Sequence, residues 1–156
     1  MASALCASEY DEKFNMYGNM LYRICMVYLK NPSDVDDAIQ DTFVKFLYHA
    51  PIFQTQQDEQ RWLIRVAVNI CKDQLRRFSQ RNVPLEYAEE VSVMPETNEL
   101  FELVRNLSEK YRPVIHLYYT EGFSVEEIAR TLSIGVSAVK MRLKRARDIL
   151  KNELEV

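Results

Sequence analysis

The sequence predicts an all-α protein: two small helical domains joined by an acidic linker, the second a helix-turn-helix. Three observations carry that expectation. Apolar residues recur at helical spacing over long stretches. Glycine occurs only three times in 156 residues, at Gly18, Gly122 and Gly135, too sparsely for the tight turns of a β-sandwich or barrel. Near the C-terminus a capped helix is followed by a three-residue turn and a basic helix.

The first helix is predicted over 9–29, where Tyr10, Phe14, Tyr17, Leu21, Ile24 and Tyr28 follow one another at spacings of four and three, one face of a helix. Asn31-Pro32 ends it. Ser33 is the expected N-cap of a second helix running to about Tyr48, with Asp36 three residues on and Val35, Ile39, Phe43, Phe46 and Leu47 inward. Pro51 closes it, a Gln-rich loop covers 51–58, and a third helix spans about 59–78 with Leu63, Ala67, Ile70, Cys71 and Phe78 inward. Residues 79–96, with Pro84, Pro95 and several acids, read as a linker. Beyond it, Leu100, Leu103, Val104 and Leu107 mark a short helix. Ser108 is the expected cap of the next, which tolerates Pro113 near its start and ends at Glu121-Gly122. Ser124-Val125-Glu126-Glu127 is a capping box opening a helix to about Leu132. Ser133-Ile134-Gly135 makes the turn, and the last helix runs from Val136 to about Leu154. The domains are thus 1–78 and 97–156, with 79–96 between them.

Composition removes several classes of function. The balance of 47% hydrophobic and 28% charged residues is that of a soluble globular protein. No clustered glycines exist to cradle a phosphate, and His49 and His116 stand apart, with no zinc or di-iron ligand pattern. No metal or other cofactor is expected. Cys6, Cys25 and Cys71 form no C-x-x-C and read as small buried hydrophobes. No apolar run reaches the roughly 20 residues of a membrane span, and the N-terminus lacks a signal peptide's pattern, so a cytoplasmic protein with no direct membrane insertion is expected.

The net charge of −3 conceals a strong segregation. Residues 33–42 hold Asp34, Asp36, Asp37 and Asp41 and no base, and 82–104 hold six glutamates and no base. Between the two, 61–81 carry six bases against Asp73 alone, and 136–151 carry six against Asp148 alone. Two local basic patches let a chain of net negative charge bind nucleic acid.

Helical geometry places these charges on faces. On the last helix Val136, Val139, Leu143, Ala146 and Leu150 form the inward stripe. Ser137, Ala138, Met141, Lys144 and Arg145 face outward, where a helix-turn-helix meets base edges, while Lys140, Arg142 and Arg147 are placed to hold phosphates. On the third helix Arg61, Arg65, Asn69, Lys72 and Arg76 line one face, with Trp62 at its edge, a pattern suited to phosphates and to stacking on an opened base. Packing on a neighbouring helix is an equal alternative for Trp62. On the second helix Asp37, Gln40, Asp41, Val44 and Tyr48 fall together, an acidic rim around exposed apolar groups that suits a basic protein surface.

These residues resemble a known family. Asp34 through Phe46 are similar to the polymerase-binding segment of bacterial sigma factors. Arg61 through Asn69, followed by Asp73, Arg76 and Arg77, resemble the promoter-melting segment of the extracytoplasmic-function (ECF) group. Tyr111 through Ile115, Glu126 through Ala129 and Val139 through Arg147 resemble that group's C-terminal helix-turn-helix. The resemblance covers about 9–152, with the segments in the right order. It implies a non-enzymatic factor that binds RNA polymerase core and directs it to promoter DNA. The first domain would open the −10 element, with Arg61, Trp62, Arg65, Asn69, Lys72 and Arg76 as its DNA residues, and Asn69 and the 51–60 loop sit where the family handles the −10 bases. The second would read the −35 element through Ser137, Ala138, Lys140, Met141, Arg142, Lys144 and Arg145. Asp37, Gln40, Asp41, Phe43, Val44 and Tyr48 would meet the polymerase, and an anti-sigma partner is a further implication. An ordinary helix-turn-helix regulator explains 97–154 equally well but leaves the acidic face and the second basic stripe without a role.

Overall fold

The computed structural model describes residues 7–80 and 99–154, and the chain divides into two units, Met1–Ser92 and Val93–Val156. All regular structure among the described residues is helical. From residue 81 onward, the segment read as a linker lies outside the described residues up to its end.

In the first unit, α1 (Ala7–Tyr28), α2 (Pro32–His49) and α3 (Gln56–Gln80) each pack against the other two. Leu21, Ile24, Val35, Phe43, Leu63, Ile64, Ala67 and Val68 have no exposed surface. Each large apolar side chain so buried contributes about 1.5–3 kcal/mol. The single inward face expected of α1 is too narrow at its C-terminal end, because Ile24 through Leu29 are all buried. A helix apolar all round is one enclosed on more than one side, here by both α2 and α3. At the other end Phe14, expected inward, is 43% exposed; it lies at the margin of an aromatic cluster, 5.1 Å from the Phe43 ring.

The start of α2 differs from expectation. Its N-cap is Asn31 and not Ser33: the Asn31 side chain accepts from the Ser33 backbone N–H at 2.9 Å, and Pro32 begins the helix. Proline fits the first helical position because its missing N–H needs no partner there. Helix α3 starts three residues earlier than expected. Thr55 precedes it, accepting from the Asp58 N–H through its hydroxyl at 3.1 Å and from the Glu59 N–H through its carbonyl at 3.3 Å. Cys25 and Cys71 are buried free thiols; the Cys25 thiol, which Cys71 hydrogen-bonds, and then burial push Cys71 above its ordinary range. Cys6 lies outside the described residues.

The second unit contains α4 (Glu99–Arg105), α5 (Arg112–Ile115) continued by a π-helical turn (His116–Thr120), α6 (Val125–Leu132) and α7 (Val136–Leu154). Val104, Leu107, Val114, Leu117, Phe123, Ile128, Leu132, Val139, Leu143 and Ala146 form its core. The expected Ser108 cap is not made by its side chain. The Ser108 backbone carbonyl instead accepts from Tyr111 and Arg112 N–H at 2.9 and 3.2 Å, and the helix begins after that turn. Arg112 is buried and donates to the Arg105 carbonyl at 3.3 Å, tying α5 to the end of α4. His116 Nε2 and Glu121 Oε1 lie 3.3 Å apart in the interior, across the π-helical turn. The Ser124 capping box is present on its first side, the hydroxyl accepting from the Glu127 N–H at 3.2 Å. The turn between α6 and α7 places its left-handed backbone at Ser133 (φ 58°), not at Gly135.

Candidate functional site

Three surfaces hold the residues singled out in the sequence. The first is the outer face of α2. Asp37, Gln40, Asp41, Val44 and Tyr48 are all exposed, Val44 by 50% and Tyr48 by 70%. They sit outward because Val35, Ala38, Ile39, Thr42, Phe43 and Phe46 turn the opposite face of the same helix into the core. The acidic end of this face opens into a groove of about 310 Å³ lined by Asp34, Asp37, Gln40, Asp41, Gln74, Arg77 and Phe78. Burial, and then the neighbouring Asp37 carboxylate, push the Asp34 carboxyl above its usual range. Such a surface favours an incoming positive charge. The expectation for Phe43 is corrected here: it has no exposed surface and packs among Tyr10, Phe14 and Phe46, so it holds α2 in place and presents nothing to a partner.

The second surface is α3 and the loop before it. Arg65, Asn69 and Arg76 are exposed, and Arg61 and Lys72 are partly so. Arg76 forms an ion pair with Asp73, which lowers the net charge of this end of the stripe. Trp62 is half-buried, its ring centroid 6.1 Å from Phe46 and 5.8 Å from Phe53. It is therefore part of the packing between α2, α3 and the loop, the alternative role considered for it. Phe53 was not singled out by the sequence reading, since an isolated aromatic in a Gln-rich loop has no periodicity to reveal it. Its neighbour Ile52 is 86% exposed.

A polar cluster behind that loop was also not evident. Glu59, in the first turn of α3, is buried, and its Oε1 accepts from the Tyr17 hydroxyl at 2.6 Å and from Lys13 Nζ at 2.8 Å. Burial and the Glu59 carboxylate raise the Tyr17 phenol well above its ordinary range.

The third surface is α7. Val139, Leu143 and Ala146 are buried as expected, Leu150 partly so, and Val136 lies at the exposed margin. Ser137, Lys140, Met141, Lys144 and Arg145 are exposed, and Ala138 and Arg142 are half-buried. Met141 is 53% exposed at the centre of the outward face. Arg147, read from sequence as a phosphate contact, is engaged within the protein. Its Nε donates to the Tyr119 hydroxyl at 2.6 Å, and its guanidinium lies 5.7 and 5.6 Å from the Tyr118 and Tyr119 ring centroids.

An all-α chain with a helix-turn-helix in one unit and opposed acidic and basic helix faces in the other defines a class: a helical DNA-binding protein that also docks on a protein partner. Residues 14–81 match the family model for Sigma-70 region 2, and residues 97–150 match that for Sigma-70, region 4. The chain is similar to the ECF RNA polymerase sigma factor SigW of Bacillus subtilis, 28% identical over 160 aligned positions covering 90% of this chain and 86% of the relative. It is 29% identical to the ECF RNA polymerase sigma-E factor of Haemophilus influenzae over 79% of this chain and 76% of the relative. Its fold is similar to that of the Bartonella quintana sigma factor RpoE, solved in complex with the anti-sigma factor NepR (TM-score 0.78, 21% identity, 96% of this chain and 99% of that one). It is also similar to CnrH in complex with the cytosolic domain of CnrY (TM-score 0.62, 26% identity, 94% and 87% covered). The chain belongs to the sigma-70 family, in its extracytoplasmic-function group, and is a promoter-specific transcription initiation factor.

Proposed function

We propose that the two units divide the work of initiation. The first docks on RNA polymerase core through the outer face of α2 and opens the −10 element along α3; the second binds the −35 element through α7. The observation that carries this reading is the opposition of two neighbouring helices: α2 exposes Asp37, Gln40, Asp41, Val44 and Tyr48, while α3 exposes Arg65 and Asn69. An acidic, partly apolar face suits a basic protein surface, and a basic face with an amide suits a nucleic-acid strand. In this assignment Trp62 supports the loop, the loop before α3 and Asn69 take the −10 bases, and Arg61, Arg65, Lys72 and Arg76 hold the strand. Domain limits of 1–78 and 97–156 fit this division, with 79–96 as the connection.

On α7, Ser137, Ala138, Met141, Lys144 and Arg145 take base edges, and Lys140 and Arg142 take phosphates. The factor contributes no catalytic group and works with the polymerase in the cytoplasm; no described helix is long and apolar enough to cross a membrane. An anti-sigma protein is its proposed inhibitor, by analogy with the RpoE relative solved with NepR. The test is run-off transcription by core polymerase with and without the purified chain, on the DNA upstream of its own coding region. Specific transcripts that need both the chain and core support the reading; identical transcripts without the chain overturn it.

A further inference from the structure

We infer that Glu59, held by Tyr17 and Lys13, is a positioning residue for promoter opening: the three side chains fix the loop before α3 and thereby set which −10 base it accepts. The inference rests on the assignment of the −10 element to the first unit.

The geometry runs in one direction, from α1 into the loop. Lys13 and Tyr17 stand one turn apart on α1 and share one carboxylate oxygen of Glu59, whose side chain is only 12% exposed. A further α1 contact lies alongside, with Gln56 Nε2 3.4 Å from Met16 Sδ. The start of α3 is therefore tied to α1 by polar links. The loop over 50–55 hangs from that anchored start. Thr55 closes its near end on Asp58 and Glu59, and Phe53 rests against Trp62. Ile52, the residue before Phe53, is displayed to solvent.

Stability does not require such a cluster. A buried ion pair is often no better than apolar residues of the same volume, because desolvation offsets its attraction. A charged hydrogen bond does enforce one distance and one direction, which a packed methyl group does not. A loop that must tell one base from another needs that fixed geometry, since a displacement of about 1 Å is enough to cost a large part of a contact's selectivity. An exposed Ile in that loop is a group that gains from packing on an unstacked base.

The test uses the full chain reconstituted with core polymerase. Tyr17→Phe, Glu59→Gln, Glu59→Ala and, as a control on the underlying assignment, Asn69→Ala are compared on promoters carrying single-base changes across the −10 element. Permanganate footprinting reads opening, and core affinity and thermal melting are measured alongside. Tyr17→Phe and Glu59→Ala should reduce the preference for the favoured base at one −10 position by about tenfold, the worth of one hydrogen bond to a charged group. Core affinity should not change. Glu59→Gln retains an oxygen for the Tyr17 hydroxyl and should keep most of the preference. A uniform loss across the panel that tracks melting temperature would mean a merely structural cluster and overturns the inference, as does an unchanged preference. If Glu59→Ala does not fold, Tyr17→Phe decides the matter, because it removes a single hydroxyl. If Asn69→Ala impairs opening while the cluster variants leave base preference intact, the inference alone fails. If Asn69→Ala and the cluster variants all leave opening and preference intact, the −10 assignment fails and the inference falls with it.

Discussion

Arg147 Nε donates to the Tyr119 hydroxyl at 2.6 Å, and the same guanidinium lies within 6 Å of the Tyr118 and Tyr119 ring centroids. A basic residue of α7 thereby holds that helix to the π-helical turn. A cation–π contact at an exposed site contributes about 0.5–1 kcal/mol, and the hydrogen bond adds to it. Arg147→Ala should therefore destabilise the second unit by about 1 kcal/mol. It should leave the salt dependence of −35 binding closer to wild type than Lys140→Ala does. Urea denaturation and a salt titration of DNA affinity measure the two effects, and a full one-phosphate loss for Arg147→Ala would place that side chain on DNA.

Ser133 gives a second stability prediction. Its φ of 58° lies in the left-handed region, which costs a residue with a Cβ about 1–2 kcal/mol relative to glycine. Ser133→Gly should stabilise the second unit by up to about 1 kcal/mol, the rest being offset by the entropy of a more flexible unfolded chain. A fall in the denaturation midpoint would show that the Ser side chain makes up for its strained backbone.

The placement of Ser133 also shows where sequence reasoning stops. Helix positions, the Ser124 cap and the outward faces of α2 and α7 were legible because each leaves a local, periodic or adjacent-residue signal. The turn itself was legible, but which of its residues takes φ > 0 was not, since Gly135 is the residue that composition favours. Asn31 was overlooked as a cap although Pro32 at the first helical position demands a cap before it. Phe43 followed the family resemblance onto the partner surface, against its own place in the apolar stripe. The Lys13–Glu59–Tyr17 cluster joins residues more than forty positions apart and has no repeat to betray it.

Phe43 and its neighbours on α2 make a paired prediction. Asp41→Lys with Gln40→Ala alters exposed positions and should weaken core binding while leaving thermal melting close to wild type. Phe43→Ala removes a ring with no exposed surface and should destabilise by about 3–5 kcal/mol. Core pull-down and calorimetry together separate the two. Unchanged core affinity in the double variant would remove the docking role from this face.

Alkaline pH should loosen the first unit. Tyr17 and Cys71 are both held above their ordinary values in the folded chain. Stability from a raised group is fully present below its unfolded pKa, about 8.5 for Cys and about 10 for Tyr, and is lost as pH rises toward the folded value. The unfolded chain then binds fewer protons than the folded one, so the unfolding free energy falls with pH. Melting curves from pH 7 to 11 should show a decline that begins near the thiol value and steepens near the phenol value. Tyr17→Phe should flatten the second part, and an identical slope in that variant would assign the decline to other groups.

The last prediction concerns how α7 divides its labour. Met141 is exposed at the centre of the outward face, and Lys140 and Arg142 stand on opposite flanks of it. A side chain on the centre line of a helix in the major groove meets base edges, and one on a flank meets the backbone that borders the groove. Lys140→Ala should thus weaken binding to all −35 variants alike and reduce the salt slope by about one phosphate. Met141 has no donor to offer, so the contact proposed for it is apolar, with a thymine methyl. Met141→Ala should cost affinity mainly on sites that carry that methyl, by about 1 kcal/mol, the low end for a wrong base pair. Affinities on a panel of single-base −35 variants at several salt concentrations test both at once. Uniform loss for Met141→Ala together with sequence-selective loss for Lys140→Ala would mean that α7 is rotated in the groove by about one residue, or about 100°. Arg145 discriminates further: it lies about 40° around the helix from Met141 but about 140° from Lys140, so in the orientation given Arg145→Ala changes base preference, and in the rotated one it changes at most the salt slope.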